Sequence, residues 1–132
     1  MQEKREPSAE PRGELALRTL AMPANTNPSG DIFGGWIMSL MDLAAGLAAT
    51  AVADGRVVTA SVSHLAFLAP VKVGDAVCCY ANLVRTGRSS MVFDIEVWVL
   101  RQRLMGVRVK VTEAQFTMVA VDETGRSRPL TG

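Results

Sequence analysis

Histidine and cysteine are scarce in this 132-residue chain, and their scarcity excludes several kinds of chemistry. There is one histidine, His64, and the two cysteines, Cys78 and Cys79, are adjacent. No CxxC pair and no histidine cluster offers the ligands of a structural zinc site, so we expect no metal. Neighbouring residues of a strand point to opposite faces, which would strain a bond between the two thiols. We therefore expect two reduced cysteines that behave as small hydrophobic residues.

The chain also lacks an excess of charge of one sign. Its 14 Lys and Arg nearly balance 13 Asp and Glu, and one Tyr and four Phe are few for stacking on bases. These features predict no nucleic-acid partner. The N-terminal "MQEKREPSAEPRGE" lacks the apolar core of a signal peptide. We expect a flexible tail at residues 1–13, a single domain at 14–132 and a cytoplasmic location.

One long hydrophobic run is present, from Gly35 to Ala53, and it contains a single ionisable residue, Asp42. The run is long enough for a membrane span. However, an aspartate near its middle would cost about 2.5–3.5 kcal/mol in a bilayer. We therefore predict no membrane partner and a soluble helix buried along most of its length. Asp31 is predicted to cap its start, and Gly55 to adopt the left-handed conformation after its end.

Four segments after this run read as strands. The clearest, "SSMVFDIEVWVLRQ", sets Asp94 and Glu96 opposite a row of apolar residues: Met91, Phe93, Ile95, Val97 and Val99. Turn signals separate the segments at 72–75, 86–88, Gly106 and 122–126, and "ELALRTLAM" at 14–22 can supply a strand before the helix. Short connections favour antiparallel neighbours. We predict an α+β fold in which an antiparallel sheet curls around the helix and a second subunit covers the free edges.

The order of these elements, together with "NPSGDIFGGWIMSLMDLAAG", "GRSS" and "VDETGRSRPL", resembles the hotdog-fold acyl-CoA thioesterases. The likeness is greatest to the YciA-type branch, which is related to the cytosolic acyl-CoA hydrolases of animals, and it covers residues 14–130. The resemblance implies hydrolysis of acyl-CoA to a carboxylic acid and coenzyme A, with no cofactor besides the coenzyme A of the substrate. It also implies a homodimer as the active unit and a hexamer built from three dimers.

The resemblance assigns catalysis to Asp42 and to the partner subunit's Asn27, and it places the oxyanion site at the backbone amides of Gly34 and Gly35. Amides at a helix N-terminus suit that role because they are unpaired and carry a partial positive charge. Asp42 can act as a general base on water or attack the carbonyl itself. Asn27 can orient the water, although Asn before Pro28 is also common in turns for conformational reasons.

Coenzyme A carries phosphates that surface arginines can bind. Candidates are Arg88 and Ser89 in "GRSS", and Arg126 and Arg128 in "GRSR", each of which can instead be a solvated turn residue. Trp36, at the helix start, can line an acyl pocket or simply pack. The acyl chain length is not specified by these residues.

Two other functions compete with hydrolysis. A hotdog enoyl-CoA hydratase needs an acid–base pair, commonly a histidine with a carboxylate, yet the helix and the loop before it contain no histidine. His64 would have to reach in from a strand, where we expect a structural histidine instead. A non-catalytic acyl-CoA-binding protein is the second alternative, and it leaves Asp42 without a role.

Overall fold

A computed structural model of the chain describes residues 10–101 and 107–130, in which five antiparallel strands accompany one long helix. In chain order the elements are β1 (Glu14–Leu20), a short 3-10 turn (Pro23–Asn25), α1 (Gly34–Ala53), β2 (Val57–Phe67), β3 (Ala76–Thr86), β4 (Ser90–Leu100) and β5 (Arg108–Ala120). The strand order in the sheet is β1-β3-β4-β5-β2, so that β1 and β2 are its edges. This confirms the predicted α+β class and the predicted order of elements.

The core lies between one face of the sheet and one side of α1. The helix contributes mainly small residues, so the strands can approach it closely: Ile37, Met41, Ala44, Ala45, Ala49 and Ala53 are buried. Strand β4 contributes the row expected from its alternation, since Met91, Phe93, Ile95, Val97 and Val99 are all buried. Burying these apolar surfaces against each other is the main stabilisation of the fold.

The opposite side of α1 is exposed, so the predicted burial along most of the helix is correct for one face only. Leu43 is 55% exposed and Leu47 is 51% exposed. The reason is that the sheet of one chain reaches around a single side of the helix. By length and hydropathy α1 could cross a membrane. This is weak evidence, because the core helix of a soluble protein meets the same two criteria. An apolar face left uncovered on a packed helix instead favours a second protein surface.

The end of α1 differs from the prediction by one residue. Asp54, not Gly55, adopts the left-handed conformation, with φ of +53°, and its amide donates to the carbonyl oxygen of Thr50 at 2.8 Å. Aspartate tolerates this region better than most residues because its short polar side chain can bond locally. The helix therefore stops at Ala53, as its composition indicated.

The strand pairings contain register shifts that were not expected, one of them in the pairing of β4 with β5 and two in the pairing of β2 with β5. In β5 the register shifts where Val97 pairs with Thr112 and Trp98 pairs with Lys110, so Val111 is the extra residue of a bulge. Val111 and Thr112 are both buried, and the strict alternation predicted for this strand is interrupted there. In β2 the register shifts between Ser63 and Ala66.

Parts of the predicted turns and tail lie outside the described residues, namely Gly106 and residues 1–9. Of the tail's described residues, Arg12 crosses the outer face of the sheet. Its Nε donates to Glu96 Oε2 at 3.2 Å, and its Nη2 donates to Asp94 Oδ2 at 3.3 Å. Arg12 is thus joined to the domain that was predicted to begin at residue 14.

Candidate active site

Asp42 lies on the exposed side of α1, where the helix passes the edge strand β2. Its Oδ1 accepts a hydrogen bond of 2.5 Å from the hydroxyl of Thr59. The spacing of one residue every 1.5 Å along a helix puts Asp42 about 12 Å beyond Gly34. The carboxylate is therefore held at a defined place, on a surface that one subunit leaves open to solvent.

Thr59 is a site residue that sequence reasoning missed. It lies 17 positions after Asp42, in a strand rich in β-branched residues where a threonine is unremarkable. The contact exists because β2 leaves the end of α1 and runs back beside it as the sheet edge. That arrangement follows from the strand order, which no local pattern encodes.

The first turn of α1 leaves backbone donors free, as the oxyanion prediction requires. The amides of Trp36 and Ile37 both donate to the carbonyl oxygen of Phe33, at 3.0 and 3.4 Å. The amides of Gly34 and Gly35 have no acceptor among the described residues. These two N–H groups lie at the positive end of the helix dipole, where a negatively charged oxygen is stabilised.

The ring of Phe33 lies directly beside Gly35. A Cβ atom at Gly35 would be 2.8 Å from Cε2 of that ring, closer than two carbon atoms pack. A larger residue at position 35 would therefore push the ring aside. Because Gly35 has no side chain, a ligand can approach its backbone even though the ring of Phe33 covers part of that surface.

Asn27 organises the loop before the helix. Its Oδ1 accepts hydrogen bonds from the amides of Ser29 at 2.9 Å and Asp31 at 3.1 Å. The backbone N–H of Asn27 donates to the backbone carbonyl oxygen of Asp31 at 2.7 Å. This is the conformational role expected of an asparagine before Pro28. With Oδ1 so occupied, the side-chain orientation is fixed and Nδ2 makes no hydrogen bond to any described residue.

A cavity of about 550 Å³, here called the loop cavity, brings several predicted site residues together. Asn27, Phe33, Gly35 and Trp36 line it, but Asp42 does not. In one chain, Asp42 and Asn27 thus belong to different surfaces. Trp36 is half-buried and lies both on the edge of the core and in this cavity, so it can pack and line a pocket at once.

Asp31 does not cap the helix, and that prediction was wrong. The N-cap position is occupied by Phe33, and no side chain caps the first turn. The helix begins three residues after Asp31, too late for its carboxylate to act as the N-cap acceptor. The carboxylate instead forms an ion pair of 2.5 Å with Lys72, which ties the loop before α1 to the turn before β3.

The arginine-containing turns meet at one end of the sheet. The amide of Leu130 donates to the carbonyl oxygen of Arg88 at 2.9 Å, and that of Ala120 donates to the carbonyl oxygen of Ser89 at 2.8 Å. Arg88 and Arg126 are exposed and donate no side-chain hydrogen bond within the described part of the chain. The fold therefore joins the turn of Arg88 and Ser89 to the end of β5 and to Leu130, and Arg126 lies in the turn between those two segments.

Arg128 has a structural task at the same end of the sheet. Its Nη2 donates to the carbonyl oxygen of Ala53 at 3.0 Å, and its Nε donates to that of Val121 at 3.2 Å. Carbonyl groups of the last helical turn have no partner within the helix, so the guanidinium satisfies one of them. The predicted contact of Arg128 with a phosphate would have to use guanidinium N–H groups that make neither of these two hydrogen bonds.

His64 and the cysteines lie away from this site. His64 is exposed, whereas we expected a satisfied structural histidine, and it contacts Ser63 Oγ at 3.1 Å within its own strand. Cys78 and Cys79 form no disulfide and are buried, as predicted, and Cys78 Sγ accepts a hydrogen bond from Arg18 Nε at 3.2 Å. Burial, with a smaller contribution from Cys78, raises the pKa of the Cys79 thiol to about 12. Among the described residues no cluster of His, Cys, Asp and Glu could hold a metal ion.

This architecture, one long helix packed against a five-stranded antiparallel sheet, is that of the hotdog class of proteins. A family model described as "Thioesterase superfamily" matches residues 29–105, which include α1, β2, β3 and β4. The chain belongs to the thioesterase superfamily. The resemblance found in the sequence is confirmed.

Individual relatives agree with the family assignment. The acyl-CoA thioester hydrolase YciA of Salmonella typhimurium is 56% identical over 122 residues, which are 91% of this chain and 92% of that protein. A hexameric thioesterase from Yersinia pestis superposes with a TM-score of 0.88 at 55% identity and covers 91% of this chain and 98% of its own. A hexameric broad-specificity acyl-coenzyme A thioesterase, solved as an aspartate-to-alanine mutant, superposes with a TM-score of 0.89 at 51% identity. The match covers 90% of this chain and 87% of that one.

Proposed function

We propose that this protein hydrolyses acyl-CoA thioesters to a free carboxylic acid and coenzyme A. The observation that carries the proposal is the pair of amides at Gly34 and Gly35, which have no acceptor among the described residues, at the start of the helix that holds Asp42. Gly35 shares the loop cavity with Asn27. These are the parts that thioester hydrolysis needs, namely oxyanion donors, a carboxylate and an amide that can position water. The relatives named above as acyl-CoA thioester hydrolases support it.

In the proposed reaction, Asp42 removes a proton from water as the water oxygen attacks the thioester carbonyl carbon. Negative charge builds on the carbonyl oxygen, and the amides of Gly34 and Gly35 stabilise it. The tetrahedral intermediate collapses with cleavage of the C–S bond. The proton held by Asp42 then goes to the departing sulfur, which leaves as coenzyme A. Direct attack by Asp42, with an anhydride later opened by water, uses the same groups.

A homodimer would complete the site. Asp42 and Asn27 occupy separate surfaces of one chain, and both the exposed face of α1 and the edge strand β2 lack a cover. A second copy placed over β2 and α1 would bury these surfaces and bring its own loop cavity to Asp42. The hexameric relatives support a further assembly of three such dimers.

The phosphates of coenzyme A would bind at the turns that carry Arg88, Ser89 and Arg126. Arg88 and Arg126 are exposed, Ser89 is half-buried, and the two guanidinium groups suit phosphate geometry. Arg128 contributes by holding the helix end beside them. No cofactor other than the coenzyme A of the substrate enters this mechanism.

Release of free thiol from a panel of acyl-CoAs tests the activity, with Asp42→Asn as the paired variant. Loss of a positioned general base typically costs 10²–10⁴ in rate, and we expect a fall of roughly that size. Equal thiol release by both proteins would remove Asp42 from the mechanism. A change in double-bond absorbance without thiol would indicate hydration, and binding without either change would indicate a non-catalytic protein.

Mixing two inactive variants tests the shared site. Asn27→Ala and Asp42→Ala subunits, co-expressed with different tags, form mixed dimers in which one site carries both substitutions and the other carries neither. Random assembly then restores about a quarter of wild-type activity if each site draws one residue from each subunit. Mixed dimers as inactive as their parents would show that both residues act from the same chain.

A further inference from the structure

A second cavity, of about 340 Å³, lies on the other side of the helix start and is here called the Thr112 cavity. Gly34 lines this cavity, whereas Gly35 lines the loop cavity, so the two cavities meet at consecutive glycines. Its wall is mostly apolar and comes from the start of α1 and the loop before it, and from the end of β2 and the segment after it: Ile32, Ile37, Phe67, Leu68 and Val71. The polar lining residues are Asp31, already paired with Lys72, and Thr112.

Thr112 is a buried polar residue without a partner. It is 1% exposed, and its hydroxyl forms no hydrogen bond with any described residue. The other side chains of β5 on this face are apolar, among them Ala114 and Phe116. An unpaired hydroxyl in such a place destabilises the fold, because burial removes its bonds to water without replacing them. A buried group with that cost needs an explanation, and a ligand that supplies the missing hydrogen bond is one.

Thr112 lines the cavity, so its hydroxyl needs only a rotation of its own side chain to meet a group bound there. Rotation about the Cα–Cβ bond exchanges the hydroxyl and the methyl group, which are of similar size, between staggered positions. The hydroxyl can then donate to or accept from a group inside the cavity. The amide of Gly34 lies at the same cavity with its own donor unused.

We propose that the Thr112 cavity receives the acyl chain of the thioester and that Thr112 hydrogen-bonds an oxygen carried on that chain. The inference rests on the proposed hydrolase function, because it takes the thioester carbonyl to lie at the amides of the first helical turn. It assigns a substrate class, namely short hydroxyacyl and ketoacyl thioesters, in preference to unsubstituted acyl groups. The cavity is at the small end of the range for ligand sites, which suits a short chain.

Comparison of butyryl-CoA with 3-hydroxybutyryl-CoA measures the preference directly. A neutral hydrogen bond is worth up to about tenfold, so wild-type kcat/KM should favour the hydroxyacyl substrate by roughly three- to tenfold. Thr112→Val keeps the shape and removes the hydroxyl. It should abolish the preference by slowing the hydroxyacyl substrate, while butyryl-CoA is hydrolysed as fast as before or faster.

Three further variants control the comparison. Thr112→Ser retains a hydroxyl and should retain the preference. Thr112→Ala lacks it and should lose the preference, which keeps the test decisive if the valine variant does not fold. Thr117→Val removes a hydroxyl from the opposite face of the same strand and should change neither rate.

The outcomes separate this inference from the function on which it rests. If wild type hydrolyses butyryl-CoA but shows no preference, or if Thr112→Val slows both substrates equally, the role of Thr112 is overturned and the hydrolase remains. If wild type releases thiol from neither substrate nor from any longer acyl-CoA, the proposed function itself fails. A melting temperature of Thr112→Val well below that of wild type would show that the hydroxyl has a structural partner after all.

Discussion

The hydroxyl of Thr59 donates a hydrogen bond of 2.5 Å to the carboxylate of Asp42, and this contact joins the central helix to the edge strand of the sheet. A carboxylate that must remove a proton from water needs a fixed orientation as well as charge. Thr59 occupies Oδ1, which leaves Oδ2 to face a water molecule. The pair thus connects the fold, through the position of β2, to the proposed chemistry.

Thr59→Val should lower kcat by roughly 10- to 100-fold, because a hydrogen bond to a charged group contributes about 1.5–3 kcal/mol. The measurement is thiol release from a short acyl-CoA. Thr59→Ser, which keeps the hydroxyl, should retain most of the activity. A valine variant as fast as wild type would mean that Asp42 is oriented by other contacts.

The order of elements and the buried faces could be predicted from the sequence, because side chains alternate along strands and the sheet has one apolar face. The row from Met91 to Val99 illustrates this, since all five of its members are buried as expected. Val92, Glu96 and Trp98 on the other face are buried too, which the alternation did not predict. The extra residue at Val111 could not be predicted in this way. A bulge changes which residues face the core, but it leaves no signal in a short apolar segment.

The candidate site was only partly predictable. Asp42 was visible because it is the one charge in an apolar helix, and Gly34 and Gly35 because glycines open that helix. Thr59 and Thr112 were not visible, because both are ordinary strand residues whose significance depends on what the folded chain places beside them. Long-range pairing is a property of the topology and not of local composition.

His64→Gly should raise the melting temperature. His64 has a φ of +56° at an irregular point of β2, and this left-handed conformation costs an L-residue about 1–2 kcal/mol. Glycine avoids that cost but loses about 0.5–1 kcal/mol through its greater freedom in the unfolded chain. The net gain lies between about 0 and 1.5 kcal/mol, and its midpoint of about 0.75 kcal/mol corresponds to an increase of about 2–4 °C for a domain of this size. His64→Ala, which keeps a Cβ atom, should show no such gain; an equal gain would assign the effect to the ring.

The cysteines of the folded protein should not react with thiol reagents at pH 8. Burial raises the pKa of Cys79 to about 12, so almost none of its thiolate is present, and both side chains are inaccessible. Titration of the native protein with a chromogenic disulfide should give no signal over the time of an activity assay. The protein unfolded in guanidinium should give two thiols per chain, the number in the sequence. Rapid labelling of the native protein would show that β3 opens locally.

Glu96 should make the stability of the fold depend on pH. Burial alone would raise the pKa of this carboxyl. Hydrogen bonds from Trp98 Nε1 at 2.9 Å and from Arg12, together with the charge of Lys110, outweigh burial. The pKa of Glu96 is therefore below its usual value of 4.5. A carboxyl whose pKa is lower in the folded chain is stabilising above its unfolded pKa, and that contribution is lost as the pH falls through the folded value.

Glu96→Gln should therefore reduce the free energy of unfolding by about 1–3 kcal/mol at pH 7, and the difference from wild type should shrink below pH 4.5. Urea titrations of both proteins between pH 3 and pH 7 measure it, with Glu123→Gln on an exposed turn as the control expected to show no difference. If Glu96→Gln lowers the free energy of unfolding by the same amount from pH 3 to pH 7, the negative charge of Glu96 does not stabilise the fold.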